Sequence, residues 1–290
     1  MPIDVAQALG GAPRVEEISW SGRDVRLYHL GIGAGVPATD PAELRYTLES
    51  RLHVLPSFAT VAGGGPPGVI GALSMPGVDV DLAAVLHAGQ SLRLHRPVPT
   101  DGTATATSRL VAVHDKGKAA LLVMRTEVTD GSGPLWTEEA EVYVRGEGGW
   151  AGERERGPST HPEPPCGEPE VTVERAVRPD QALLYRLTGD DNPLHADPEF
   201  ARAAGFEQPV LHGLCTYGMT LKAAVDTLLA GETDRVRGYR ARFVGVVYPG
   251  ETLRIRMWRG AGQARTVRVE VSTAERGETP VLAAGRIEYA

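Results

Sequence analysis

Residues 185–219 read YRLTGDDNPLHADPEFARAAGFEQPVLHGLCTYGM, and this stretch sets how the rest of the chain is read. Asp190 and His195 stand five positions apart with Asn192-Pro193 between them. The residue before a proline is pushed out of the helical region, and proline itself has no N–H to give. The two groups therefore do not sit on adjacent turns of one helix; a bent loop aims both at one point. Gly205 and Pro209 punctuate the chain before His212-Gly213-Leu214 opens an apolar run, LCTYGMTLKAAVDTLLA, that stops at Gly231. Gly213 is thus placed near a helix N-terminus. Unpaired N–H groups there, with the positive end of the helix dipole behind them, favour an oxygen that gains negative charge.

Working outward, the chain compares well with itself. Tyr28-His29-Leu30 set on Tyr185-Arg186-Leu187 gives an offset of 157, and without a gap Asp40-Pro41 then falls on Asp197-Pro198. In this register Gly33 stands where the second copy has Asp190, and Ala38 where it has His195. The acid and base are therefore written once. A helical pattern over Asp40 to Leu52 precedes Pro56, and Gly63-Gly64-Gly65-Pro66-Pro67 then strongly opposes helix, so the N-terminal central helix is expected to be short or lost.

Strand-like alternation follows over Gln90 to His95, Thr103 to His114, Ala119 to Thr129 and Leu135 to Val144. It returns over Tyr239 to Val247, Thr252 to Trp258, Ala264 to Thr273 and Val281 to Tyr289, with turn residues between. Helix followed by consecutive antiparallel strands, used twice, is an α+β plan in which each of two sheets wraps a central helix. The expected division is 1–145, a Gly-, Pro- and charge-rich linker over 146–170, and 171–290.

Composition narrows the function. With 290 residues, 42% of them hydrophobic, and no apolar run near the ~20 residues of a membrane span, a soluble chain of two units is expected. A net charge of -7 argues against nucleic acid, whose phosphates need a basic face. Two cysteines, Cys166 and Cys215, make no metal or disulfide pattern. The N-terminus has no secretory pattern, and a cytoplasmic location is expected.

The run Tyr185, Gly189-Asp190, Asn192-Pro193-Leu194-His195, Asp197-Pro198 and His212-Gly213 resembles the signature of the MaoC-like, hydratase 2 family of hot-dog-fold enzymes. In weaker form the resemblance runs over nearly the whole chain, to the two-domain (R)-specific enoyl-CoA hydratases. It implies a tandem, or double, hot-dog fold. It also implies reversible hydration of trans-2-enoyl-CoA to (3R)-3-hydroxyacyl-CoA without metal or cofactor, a homodimer, and a degenerate N-terminal half that makes room for a longer or bulkier acyl chain.

Such a reaction needs an activated water, a proton for the α carbon and a hold on the enolate oxygen. Asp190 and His195 meet the first two needs, since a neutral imidazole takes a proton from water near pH 7 while a carboxyl group relays the other. Spacing leaves open which group moves which proton; the reading adopted has His195 as the principal base and Asp190 as its acid/base partner. One water held between them adds to a single face, a syn addition. Gly213 is the oxyanion candidate, by its place at the helix start and by resemblance.

Asn192 either caps the turn around Pro193 or meets substrate, and Tyr185, beside the site in the family, is equally a core aromatic. His212 is expected to cap or pack, outside the catalytic set. The alternatives are a 3-hydroxyacyl thioester dehydratase acting on carrier proteins, an acyl-CoA thioesterase and a non-catalytic acyl-CoA-binding protein.

Overall fold

The computed structural model describes residues 3–64, 67–150, 167–260 and 265–290. Most of the linker expected over 146–170, with Cys166, and Gly65-Pro66 of the breaker lie outside the described residues. The N-terminal half runs α1 (Val5–Gly10), β1 (Arg14–Trp20), α2 (Gly22–Gly31), α3 (Pro41–Thr47), a 3-10 segment at Pro56–Val61 and α4 (Pro67–Leu73). β2 (Val85–Leu94), β3 (Gly102–Asp115), β4 (Ala119–Asp130) and β5 (Gly133–Arg145) follow. The C-terminal half runs β6 (Val171–Ala176), α5 (Gln181–Tyr185), a 3-10 turn at Pro193–His195, α6 (Pro198–Ala203) and α7 (Gly213–Leu228). It closes with β7 (Val236–Phe243), β8 (Thr252–Arg259), β9 (Thr266–Thr273) and β10 (Thr279–Tyr289).

The offset of 157 holds well beyond the residues that suggested it: it carries Arg14 of β1 onto Val171 of β6 and Pro56 onto Gly213. Asp40 and Asp197 are both N-caps with proline following, their carboxylates accepting from Ala42 N–H at 2.8 Å and Glu199 N–H at 2.8 Å. A carboxylate there satisfies otherwise unpaired helix donors. Both β1 and β6 were missed in the sequence. They are half-exposed strands, RVEEISW and VTVERA, whose charges mask the apolar alternation.

The central helices diverge where the breaker falls. α7 is enclosed all round from Leu214 to Val225, as a helix threaded through a core must be. Its counterpart stops after the six buried residues of Pro56–Val61, and Gly63 turns the chain at φ +91°. A Cβ on Gly63 would meet Ile18 Cβ at 2.7 Å, so glycine is required there by space as well as by backbone. The N-terminal central helix is therefore short, and α4 packs instead over β4 and β5 on a separate apolar cluster that includes Ala72, Leu122 and Met124.

Where two sheets were expected, the strands form one antiparallel sheet of ten, ordered β1-β3-β4-β5-β2-β7-β10-β9-β8-β6. The halves fuse because β2 and β7, the first strand after each set of helices, pair edge to edge from Gly89↔Arg242 to Arg93↔Gly238. This satisfies two rows of backbone groups that would otherwise be open edges. The main core is shared between halves, with Tyr28, Tyr185, Tyr217, Tyr239 and Trp136 fully enclosed.

A partly buried charge cluster fastens the halves together: the enclosed Lys222 Nζ lies 2.6 Å from Glu43 Oε1 and 2.7 Å from Asp226 Oδ2, and Tyr46 Oη donates to Asp226 Oδ1 at 2.6 Å. No helix among the described residues is long and apolar enough to cross a membrane.

Candidate active site

The loop after α5 is shaped by its own short-range bonds. Gly189 takes φ +115°, turning the chain out of the helical line so that Asp190 follows on a bend. Asn192 caps the 3-10 turn, its Oδ1 accepting from Leu194 N–H at 3.0 Å, and its own N–H donates to Asp190 Oδ1 at 3.2 Å. The Pro193 turn then delivers His195. Its Nδ1 lies 2.8 Å from the Val210 carbonyl, which can only accept, so Nδ1 carries the proton and Nε2 the lone pair. Asp190, His195 and His212 offer side-chain atoms all within 4.8 Å of one another.

His212 completes the group from the N-cap position of α7. It makes no capping bond with its side chain; it is buried and stacks its ring on that of His195, centroids 3.7 Å apart. Its Nε2 lies 3.3 Å from the Asp190 carbonyl, tying the acid's backbone to the helix start. Three such residues are also a donor set of the kind that could hold a metal ion, although one nitrogen of each ring already faces a backbone carbonyl, Val210 for His195 and Asp190 for His212.

Burial pushes the His195 pKa below the ordinary imidazole value of 6.5; the neighbouring Asp190 charge and the Val210 bond oppose this without cancelling it. His212 is driven well below 6.5, by burial first and then by His195. Both rings are therefore neutral at pH 7, and His195 Nε2 is a free base.

Asp190 and His195 open on a cavity of about 560 Å3. Its wall includes Asn192, His212, Gly213 and Phe243, and from the other half Val69, Leu73, Leu82, Val85 and His87. Gly213 is the first residue of α7, so its N–H has no acceptor within the helix. A Cβ there would stand 3.3 Å from the Phe243 ring, so close packing also favours glycine.

The sequence candidates thus separate. Asp190, His195, Asn192 and Gly213 come together on the cavity wall. Tyr185 is fully buried, packed between the rings of Tyr28 at 6.1 Å and His212 at 4.9 Å, with its hydroxyl unpartnered. Sequence reading missed the Val210 carbonyl, in the loop before His212, and Phe243 and His87, which sit on strands brought to the site by long-range pairing; none carries a local motif.

The chain is similar to known proteins along most of its length. Residues 159–279 match the MaoC like domain family and residues 19–146 the MFE-2 hydratase 2 N-terminal domain family. The chain is 48% identical over 264 residues to the enoyl-CoA hydratase ChsH3 of Mycobacterium tuberculosis, covering 89% of this chain and 90% of that one. It is 37% identical to the peroxisomal enoyl-CoA hydratase 2 of Arabidopsis thaliana, over 83% of this chain and 82% of the relative. The crystal structure of a MaoC-like dehydratase from Phytophthora capsici superposes with a TM-score of 0.86 at 29% identity, covering 99% of this chain and 98% of the other. With its two halves matched in order and a relative this similar along most of its length, the chain belongs to the MaoC-like, hydratase 2 family.

Proposed function

We propose that the protein catalyses reversible syn hydration of a trans-2-enoyl-CoA to the (3R)-3-hydroxyacyl-CoA. The observation that carries this reading is the Asp190–His195 pair on the wall of a largely aliphatic cavity, beside the first N–H of a long helix. The hydratase names of the two relatives support the substrate class.

A water held between the two side chains gives a proton to His195 Nε2 as its oxygen bonds to C3. The C2–C3 π pair moves toward the thioester carbonyl, whose growing negative charge is met by the Gly213 N–H, an interaction worth about 3 kcal/mol in comparable sites. The imidazolium passes the water's proton to the Asp190 carboxylate, which hands it to C2 on the same face, so that His195 ends neutral and Asp190 ionised as they began. Aliphatic residues of the N-terminal half, Val69, Leu73, Leu82 and Val85, extend the cavity for the acyl tail. Medium and long chains are accordingly the better substrates.

The test is incubation of purified protein with short-, medium- and long-chain trans-2-enoyl-CoAs, following enoyl absorbance, free thiol and product chirality. Asp190→Asn and His195→Gln should each lower kcat by roughly 10²–10⁴ while the melting transition is retained. Thiol release without hydration would make the protein a thioesterase. Full activity in either variant would remove the pair from the chemistry.

A further inference from the structure

β2 carries a bulge where it borders the cavity. Its ladder with β5 pairs His87 with Val142 and then Gly89 with Glu141, leaving Ala88 as the extra residue. Residues three apart on a regular strand point to opposite faces. Here the His87 ring nevertheless reaches the Gln90 side chain, Nε2 lying 3.1 Å from Gln90 Oε1, because the inserted residue switches the alternation. Gln90 Nε2 donates in turn to Glu138 Oε2 at 3.0 Å, and Gln90 and Glu138 are both buried. A polar row thus runs out of the N-terminal core and ends at His87 on the cavity wall.

The row fixes which nitrogen of His87 meets a ligand. Nε2 also lies 3.0 Å from the Gly89 carbonyl, which only accepts, so Nε2 carries the proton whichever way the Gln90 amide is turned. In the neutral ring Nδ1 is then a pure acceptor. Burial keeps the ring neutral, lowering its pKa to about 4. Edge-on contact with Phe243, centroids 4.9 Å apart, sets the plane of the ring.

Resting on the hydratase reading, we propose that His87 Nδ1 is a specificity determinant of the acyl cavity. It accepts a hydrogen bond from a hydroxyl on the acyl chain, so the favoured substrates are hydroxylated enoyl thioesters. The tail, not the pantetheine arm, is the source because the residues that share this wall from the same half, Val69, Leu73, Leu82 and Val85, are all aliphatic. A plain alkyl chain lying there covers Nδ1 without offering a donor, which leaves a desolvated acceptor unpaired. A hydroxyl restores the bond; a keto oxygen, itself an acceptor, does not.

The experiment compares trans-2-enoyl-CoAs of equal length bearing no substituent, a distal hydroxyl or a distal ketone, using wild type, His87→Leu and His87→Asn. Calorimetric binding of the matching saturated acyl-CoAs reads the same preference without turnover. In wild type the hydroxylated chain should lead the plain and keto chains by roughly tenfold in kcat/KM and in affinity. His87→Leu should bring that ratio close to one, and His87→Asn, whose amide oxygen stands near the Nδ1 position, should recover part of it.

A ratio that survives His87→Leu overturns the proposal. So does a uniform loss on all chains, which would assign His87 to the pantetheine arm or to folding. Wild-type protein that turns over none of these esters sinks the hydratase reading instead, and the binding ratio still decides the role of His87.

Discussion

Glu138 is buried with Gln90 as its hydrogen-bonding partner, and burial raises its pKa from 4.5 to about 8, the Gln90 bond opposing only in part. A carboxyl group whose folded value is raised holds its proton in the native state where the unfolded chain has lost it. Stability therefore falls as pH rises between the two values, by about 1.4 kcal/mol per pH unit.

The shifted histidines, two of them buried and two half-buried on the cavity wall, act in the opposite sense. His29 and His87 are lowered to about 4 and His195 and His212 below 6.5, so their stabilisation is complete above 6.5 and is lost only as pH falls. From 6.5 to about 8 Glu138 is then the one described side chain with a shifted value that still changes stability. Over that window the wild type should lose about 2 kcal/mol, or roughly 5 °C in melting temperature. Glu138→Gln keeps the shape and an acceptor for Gln90 and should flatten the slope. Denaturant or thermal midpoints of both proteins at several pH values are the assay. Parallel curves for the two proteins would refute the assignment of a protonated carboxyl at neutral pH.

Three further outcomes follow from the geometry. Lys222→Met strands the Glu43 and Asp226 carboxylates without their counter-charge and should cost about 3 kcal/mol in a denaturant titration, whereas a surface pair would cost under 1. Gly218→Ala gains about 1 kcal/mol of helix propensity, but its Cβ would lie 2.4 Å from Tyr28 Oη and 2.8 Å from Ile32 Cγ2, so net destabilisation of about 1–2 kcal/mol is expected by the same titration. The acid limb of the kcat/KM profile should lie below 6.5, since burial lowers the His195 pKa; Asp190→Asn removes a charge that raises it, and should move the limb of the residual activity lower still.

What the sequence disclosed follows distance along the chain. The Asn192-Pro193 turn and the helix start at Gly213 were read from neighbouring residues, whereas the left-handed turn at Gly189 was not. The breaker at Gly63 likewise announced a short central helix, because glycine and proline act locally. Long-range features were silent. The β2–β7 pairing that merges the sheets joins positions in different halves. The inward turn of His87 depends on a bulge defined only against β5, and alternation alone puts residues 87 and 90 on opposite faces. β1 and β6 escaped because a strand covered on one side spends its outward positions on Glu, Arg and Thr.

The covalent linkage of the two copies has a consequence for how the protein can change. In an assembly of identical chains every substitution appears on all walls at once, so widening one pocket remodels each reaction centre too. Here the half with Gly33 and Ala38 at the positions of Asp190 and His195 lends its aliphatic wall to the other half's cavity. On the hydratase function proposed above, natural variation can therefore reshape which tails are admitted while Asp190 and His195 stay under separate constraint.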